Sequence, residues 1–84
     1  MSSSEIGKRL FWIREQAGLT VRALGKIANV SPSTITEIEN SHHVPRADMI
    51  EKLAAALKVE RCWLAYGDGK PPNGWLMRSK AEVD

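Results

Sequence analysis

Cysteine, phenylalanine and tyrosine each occur once in this 84-residue sequence. No apolar run approaches the roughly 18 residues needed to cross a membrane. A lone Cys62 cannot close an internal disulfide, which suits a reducing compartment. The start, MSSSEIGKRL, lacks the continuous apolar stretch of a signal peptide, so a cytoplasmic location is expected. There is no glycine-rich phosphate loop, no pair of catalytic carboxylates and no serine elbow, and enzymatic activity is not expected. His42 and His43 are adjacent, so their side chains diverge, and no Cys/His spacing completes a zinc site. Neither a metal nor a cofactor is expected. Cys62, inside a short apolar helical stretch, reads as a buried small hydrophobe rather than a nucleophile. No segment alternates apolar and polar residues as a strand does, so the chain is expected to be all-α.

What remains is a mildly basic chain of net charge +2, a balance that fits a nucleic-acid partner without requiring one. Residues 67–74, GDGKPPNG, are all turn and breaker chemistry. One small domain is therefore expected over 1–67, with a turn-rich linker and short tail over 68–84.

Five short helices are legible. Over residues 4–17, Ile6, Leu10, Ile13 and Ala17 recur on one helical face, and Gly18 stops the helix. Thr20 is an N-cap candidate for a second helix that turns Leu24, Ile27 and Ala28 inward. Asn29 follows where a left-handed residue is needed, a conformation asparagine accepts at low cost. In NVSPSTITEIEN, residues 29–40, Ser31 caps and Pro32 occupies the first helical position, where its missing N–H costs nothing. The proline starts a third helix instead of breaking one. A fourth spans about 47–57 with Ile50, Leu53, Ala54 and Leu57 inward, and a fifth runs from about Glu60 to Tyr66, ending at Gly67 with Trp63 and Leu64 in the core.

The third helix has a distinctive outer face. With Ile35 at 0° and about 100° per residue, Ile38 falls at about −60°, while Ser33, Thr36, Glu37 and Asn40 fall between about 100° and 200°. Only Asn29, Val30 and Ser31 separate the second and third helices, so the two must cross steeply, with Gly25 allowing the close approach. Two helices at roughly 90–120° on so short a turn form a helix-turn-helix, whose second helix can enter a major groove. Glu39 lies on the margin of the buried side, as does Arg14 on the first helix, which suggests an internal, bidentate ion pair between them. Only Glu37 is then left to face the expected DNA.

The run IGKRLFWIREQAGLTVRALGKIANVSPSTITEIEN, followed by IEKLAAALKV and CWLAYG, resembles the phage repressor and Cro-type (XRE) helix-turn-helix family across residues 6–67. The resemblance implies a five-helix, lambda repressor-like domain in a DNA-binding transcription regulator of phage or prophage repressor type. It implies operator DNA as partner and a homodimer on a pseudo-palindrome. Position by position it implies base contacts from Pro32, Ser33, Thr36 and Glu37, and phosphate contacts from Thr20, Val21, Arg22, Asn40, His42, His43 and Arg46. An arginine at the position of Arg14 paired with a glutamate at that of Glu39 is also common in the family. The chain departs from the pattern at Val21, where a glutamine that touches phosphate is frequent, at Gly25, where alanine is usual, and at Asn29 and Ser41, where glycine is common.

Phe11 and Trp12 fall at about 100° and 200° from Leu10, pointing away from the core. An exposed aromatic pair is a packing site. Either Trp75, Leu76 and Met77 fold back onto it, or it belongs to a dimer or partner interface. The second option supports an alternative function, a protein-interaction module such as an antitoxin or antirepressor binding a protein partner through Phe11, Trp12 and the tail with Trp75.

Overall fold

A computed structural model describes residues 2–72. Five helices follow in order: α1 Ser2–Gln16, α2 Val21–Ala28, α3 Pro32–Glu39, α4 Ala47–Leu57 and α5 Arg61–Tyr66. No strand occurs among the described residues. The tail residues Trp75, Leu76 and Met77 lie outside them, and so does the expectation placed on them.

The helices close into a ring. α1 packs on α3 and α5, α2 on α3 and α4, and α4 on α5. Leu10, Leu24, Ile35, Ile38, Leu53, Trp63 and Leu64 fill the centre and are fully buried, so each helix contributes at least one side chain to a single core. Burying an aliphatic side chain of this size contributes about 1.5–3 kcal/mol, so the loss of any one is a large share of a small domain's stability.

Each helix ends on a left-handed residue, and the sequence shows why only in part. Gly18 and Gly67 take this conformation at no steric cost, at φ 72° and 78°. Asn29, Ser41 and Lys58 take it at φ 60°, 65° and 60°. The gain is satisfied carbonyls: after α3, Ser41 N–H donates to Ile38 O at 3.0 Å and His42 N–H to Glu37 O at 2.8 Å. After α4, Lys58 N–H donates to Ala55 O and Val59 N–H to Ala54 O. Lys58 carries a side chain where that conformation disfavours one. Replacing it with glycine is expected to raise the unfolding free energy by about 0.5–1 kcal/mol, read as a higher thermal midpoint.

Four side chains differ from the sequence-based expectation. Ala17 is exposed because α1 stops at Gln16, and the 100° progression does not extend past the helix end. Ile27 is 58% exposed. The close crossing brings Gly25 inside, and the buried arc of α2 becomes Leu24, Gly25 and Ala28, leaving Ile27 at its outer edge. Trp12 is half-buried and packs against the core instead of facing away. On α1 the buried arc extends round to Arg9, because α5 covers that side as α3 covers the other. Cys62 is exposed, not buried. The six residues of α5 bury Trp63, Leu64 and Ala65 in succession, which leaves Cys62 and Tyr66 on the outer side.

Candidate nucleic-acid interface

α3 divides cleanly into two faces. Ile35 and Ile38 are 0% exposed, while Ser33, Thr36, Glu37 and Asn40 are all exposed. Pro32 begins the helix and is exposed beside them. Ser31 is the N-cap residue, but its side chain makes no capping hydrogen bond.

The turn before α3 is as tight as its three residues require. Asn29 N–H and Val30 N–H both converge on Gly25 O, the latter at 2.9 Å. A Cβ on Gly25 would lie 2.6 Å from Val30 O and 3.3 Å from Pro32 Cγ, so the start of α3 is seated against α2 through the missing side chain. Thr20 caps α2, its hydroxyl oxygen accepting from Ala23 N–H at 3.1 Å. Arg22 and Lys26 line the same shallow hollow as Ser31 and Pro32, which sets two cations beside the start of α3. Val21 is half-buried against the core, whereas Arg22, Asn40, His42 and Arg46 are exposed and His43 is half-buried. Arg46 is the N-cap residue of α4 and makes no side-chain cap.

Arg14 fixes this assembly to α1. Its Nε donates to Glu39 Oε2 at 2.7 Å and its Nη2 to Glu39 Oε1 at 3.2 Å, a bidentate pair. Its Nη1 donates to Leu19 O at 2.7 Å, so one guanidinium ties together α1, the approach to α2 and the end of α3. The two side chains are 10% and 9% exposed, so the pair is shielded from salt. The Phe11 ring lies 5.3 Å from Arg14 Cζ, a cation–π contact. Phe11 is 48% exposed, yet part of its surface is occupied by covering the ion pair. The hydrogen bonds that the guanidinium donates to Glu39 hold it more basic than usual, against the opposing effect of burial and with further attraction from the charges of Glu39 and Glu15. A group whose basicity rises on folding contributes stability below its ordinary range and loses it only as pH climbs through the folded value. For Arg14 that window is strongly alkaline, so this group gives no pH dependence near neutrality.

Sequence reasoning passed over two residues that position the site. Arg9 is buried, donating from Nε to Leu64 O and from Nη2 to Ala65 O, both at 2.8 Å, which anchors α1 to α5. No sequence signal distinguishes it from a surface arginine. Gly7 does leave a trace, as an isolated glycine inside a helical pattern. A Cβ there would meet Ile38 O at 2.6 Å and Glu39 O at 2.9 Å, so Gly7 is where the backbone of α3 rests on α1.

A helix-turn-helix family model (HTH_3) matches residues 10–64. Over 64 residues the chain is 41% identical to the HTH-type transcriptional repressor RghR of Bacillus subtilis (strain 168), a match covering 75% of this chain and 47% of that protein. The chain thus spans about half the length of that curated relative. Among solved structures it is similar to an HTH_3 family transcriptional regulator from Vibrio cholerae, at TM-score 0.74 and 25% identity over 81% of this chain and 38% of the other. It is also similar to the P22 c2 repressor solved with a synthetic operator, at TM-score 0.71 and 30% identity over 75% of this chain and 96% of that one. A SinR–SinI complex shares the fold, at TM-score 0.69 and 24% identity over 93% of this chain and 78% of that chain. With the family model matching across most of its length and the five helices in place, the chain belongs to the XRE-type helix-turn-helix family.

Proposed function

We propose that this chain binds double-stranded DNA sequence-specifically, as the reading head of a repressor of the phage or prophage type, acting in the cytoplasm. α3 lies in the major groove, and a homodimer spans half-sites about 34 Å apart. The observation that carries the reading is the division of α3: two isoleucines wholly buried, and Ser33, Thr36, Glu37 and Asn40 turned out together on a helix held by the Arg14 pair. Short polar side chains reach base edges with little loss of conformational entropy. Likeness to a repressor solved on an operator supports the same reading.

In this reading Pro32, Ser33, Thr36 and Glu37 face bases, while Thr20, Val21, Arg22, Asn40, His42, His43 and Arg46 lie along the backbone. α3 carries no basic residue in its last turn or elsewhere, so affinity must come from outside it. Exposed cations at Arg22, Lys26 and Arg46, with the amides that open α3 and α4, supply the attraction for phosphate.

Two expected outcomes separate these roles. Arg22→Ala or Arg46→Ala weakens binding to every sequence alike and lowers the slope of log K against log salt by about one each, measured by fluorescence anisotropy on a labelled duplex. Ser33→Ala leaves that slope unchanged and alters preference at one base pair by about 1–3 kcal/mol. An affinity independent of salt would count against the whole assignment.

The second reading is a protein-binding module using Phe11 and Trp12. The absence of cations on α3 favours it. Against it, Trp12 packs half-buried on the core and Phe11 lies over the Arg14 guanidinium, which leaves little free aromatic area on α1. Gel shift against genomic fragments, set beside pull-down of a protein partner, distinguishes the two.

A further inference from the structure

We propose that Glu37 is a specificity-determining residue of the interface and works by exclusion: its carboxylate accepts a hydrogen bond from the N4 amino group of one cytosine and is disfavoured at every other base. This inference rests on the DNA-binding reading above.

Glu37 shares the exposed face with Ser33, Thr36 and Asn40. The two glutamates of α3 stand in opposite situations. Glu39 holds Arg14 in a bidentate pair, whereas no hydrogen bond or ion pair engages the Glu37 carboxylate among the described residues. The helices packed on α3 offer it little: Arg14 of α1 is committed to Glu39, and α3 has no cation of its own. Arg22 and Lys26 of α2 lie beside Ser31 and Pro32, at the opposite end of the helix.

Its place on the helix also works against it. Glu37 sits in the last turn of an eight-residue helix whose end is fixed, the Glu37 carbonyl itself accepting from His42 N–H at 2.8 Å. A carboxylate is disfavoured near the negative end of the helix dipole. A residue that breaks a local rule with no internal compensation marks a functional position.

The chemistry of the groove then narrows the choice. A carboxylate can only accept, and in the major groove only adenine N6 and cytosine N4 donate. Adenine N6 sits next to N7, an acceptor that repels the second carboxylate oxygen, so cytosine is the better partner. On guanine or thymine the negative charge meets no donor, only acceptors and the phosphate field, and on adenine its single hydrogen bond is opposed by N7. Glu37 therefore lowers binding to wrong sequences more than it raises binding to the right one. Removing it makes the protein bind random DNA more tightly and discriminate less. Glutamine, which donates as well as accepts, suits adenine N6 and N7 and moves the preference there.

The test is selection from a random duplex pool by the full 84-residue chain and by its Glu37→Ala and Glu37→Gln variants, with nonspecific affinity and thermal midpoint measured on each. The expected result is one position where cytosine is preferred about tenfold or more. That preference flattens in Glu37→Ala while nonspecific affinity rises, and it passes to adenine in Glu37→Gln. Neither variant melts below the parent, which separates lost readout from lost fold. Identical base preferences for all three proteins overturn the inference and leave the DNA-binding reading standing. A pool with no enriched sequence for any of them overturns both.

Discussion

Glu39→Ala is expected to lower the unfolding free energy by about 3 kcal/mol, the cost of leaving a buried guanidinium without its counter-charge. The size follows from burial: both side chains are at least nine-tenths covered, so water cannot replace the lost partner. Arg14 keeps its bond to Leu19 O but loses the bidentate contact at 2.7 and 3.2 Å. For a domain of this length, about 3 kcal/mol corresponds to a fall in thermal midpoint on the order of 15 °C. The pair is expected to hold orientation more than it adds net stability, which gives a second, sharper outcome. The double variant Arg14→Met with Glu39→Leu should be more stable than Glu39→Ala, because it removes both charges and their desolvation together. Chemical denaturation of the parent, Arg14→Met, Glu39→Leu and the double variant closes a double-mutant cycle that checks this, and no coupling between the two positions would mean that the pair does not tie α1 to α3.

Gly7→Ala is expected to destabilise the fold by about 2 kcal/mol, against the usual gain when alanine replaces glycine within a helix. Alanine's better helix propensity contributes up to about 1 kcal/mol in its favour. The added methyl group, however, would lie 2.6 Å from Ile38 O and 2.9 Å from Glu39 O, and these are backbone atoms of α3 that cannot rotate aside. α1 must therefore move away from α3, which loosens the packing over Ile38 and lengthens the Arg14–Glu39 contact. Because the affected end of α3 includes Glu37 and Asn40, Gly7→Ala should also weaken specific DNA binding more than nonspecific binding. A melting curve shows the first effect and anisotropy on matched and random duplexes the second. A stabilised Gly7→Ala protein would mean that α1 and α3 are not in close contact.

These two positions also show how far the sequence could be read. The faces of α3 were legible because two isoleucines three residues apart leave a helix only one way to turn. The bounds of α4 were legible for the same reason, with leucines at 53 and 57 marking its buried side. The Arg14–Glu39 geometry followed from helical angles alone, since opposite charges at two core margins have few other places to go. Gly7 was not anticipated, although its lone glycine was visible, because its reason lies in carbonyls 31 and 32 residues further along the chain. Arg9 was hidden more completely: an arginine that binds the carbonyls of Leu64 and Ala65 looks in sequence like any solvated one. Cys62 and Ile27 depart from an even helical period because, in helices of six and eight residues, one neighbouring contact decides the buried arc. Lys58 shows the converse, a left-handed helix end adopted without the glycine or asparagine that would have announced it.

The central claim is that the outward face of α3 touches DNA. Amide chemical-shift mapping of the isotopically labelled chain, titrated with a selected duplex, addresses it most directly. The largest changes are expected at Ser33, Thr36, Glu37 and Asn40, smaller ones at Arg22 and Arg46, and almost none along α5. Changes concentrated at Phe11, Cys62 and Tyr66, with α3 silent, would contradict it.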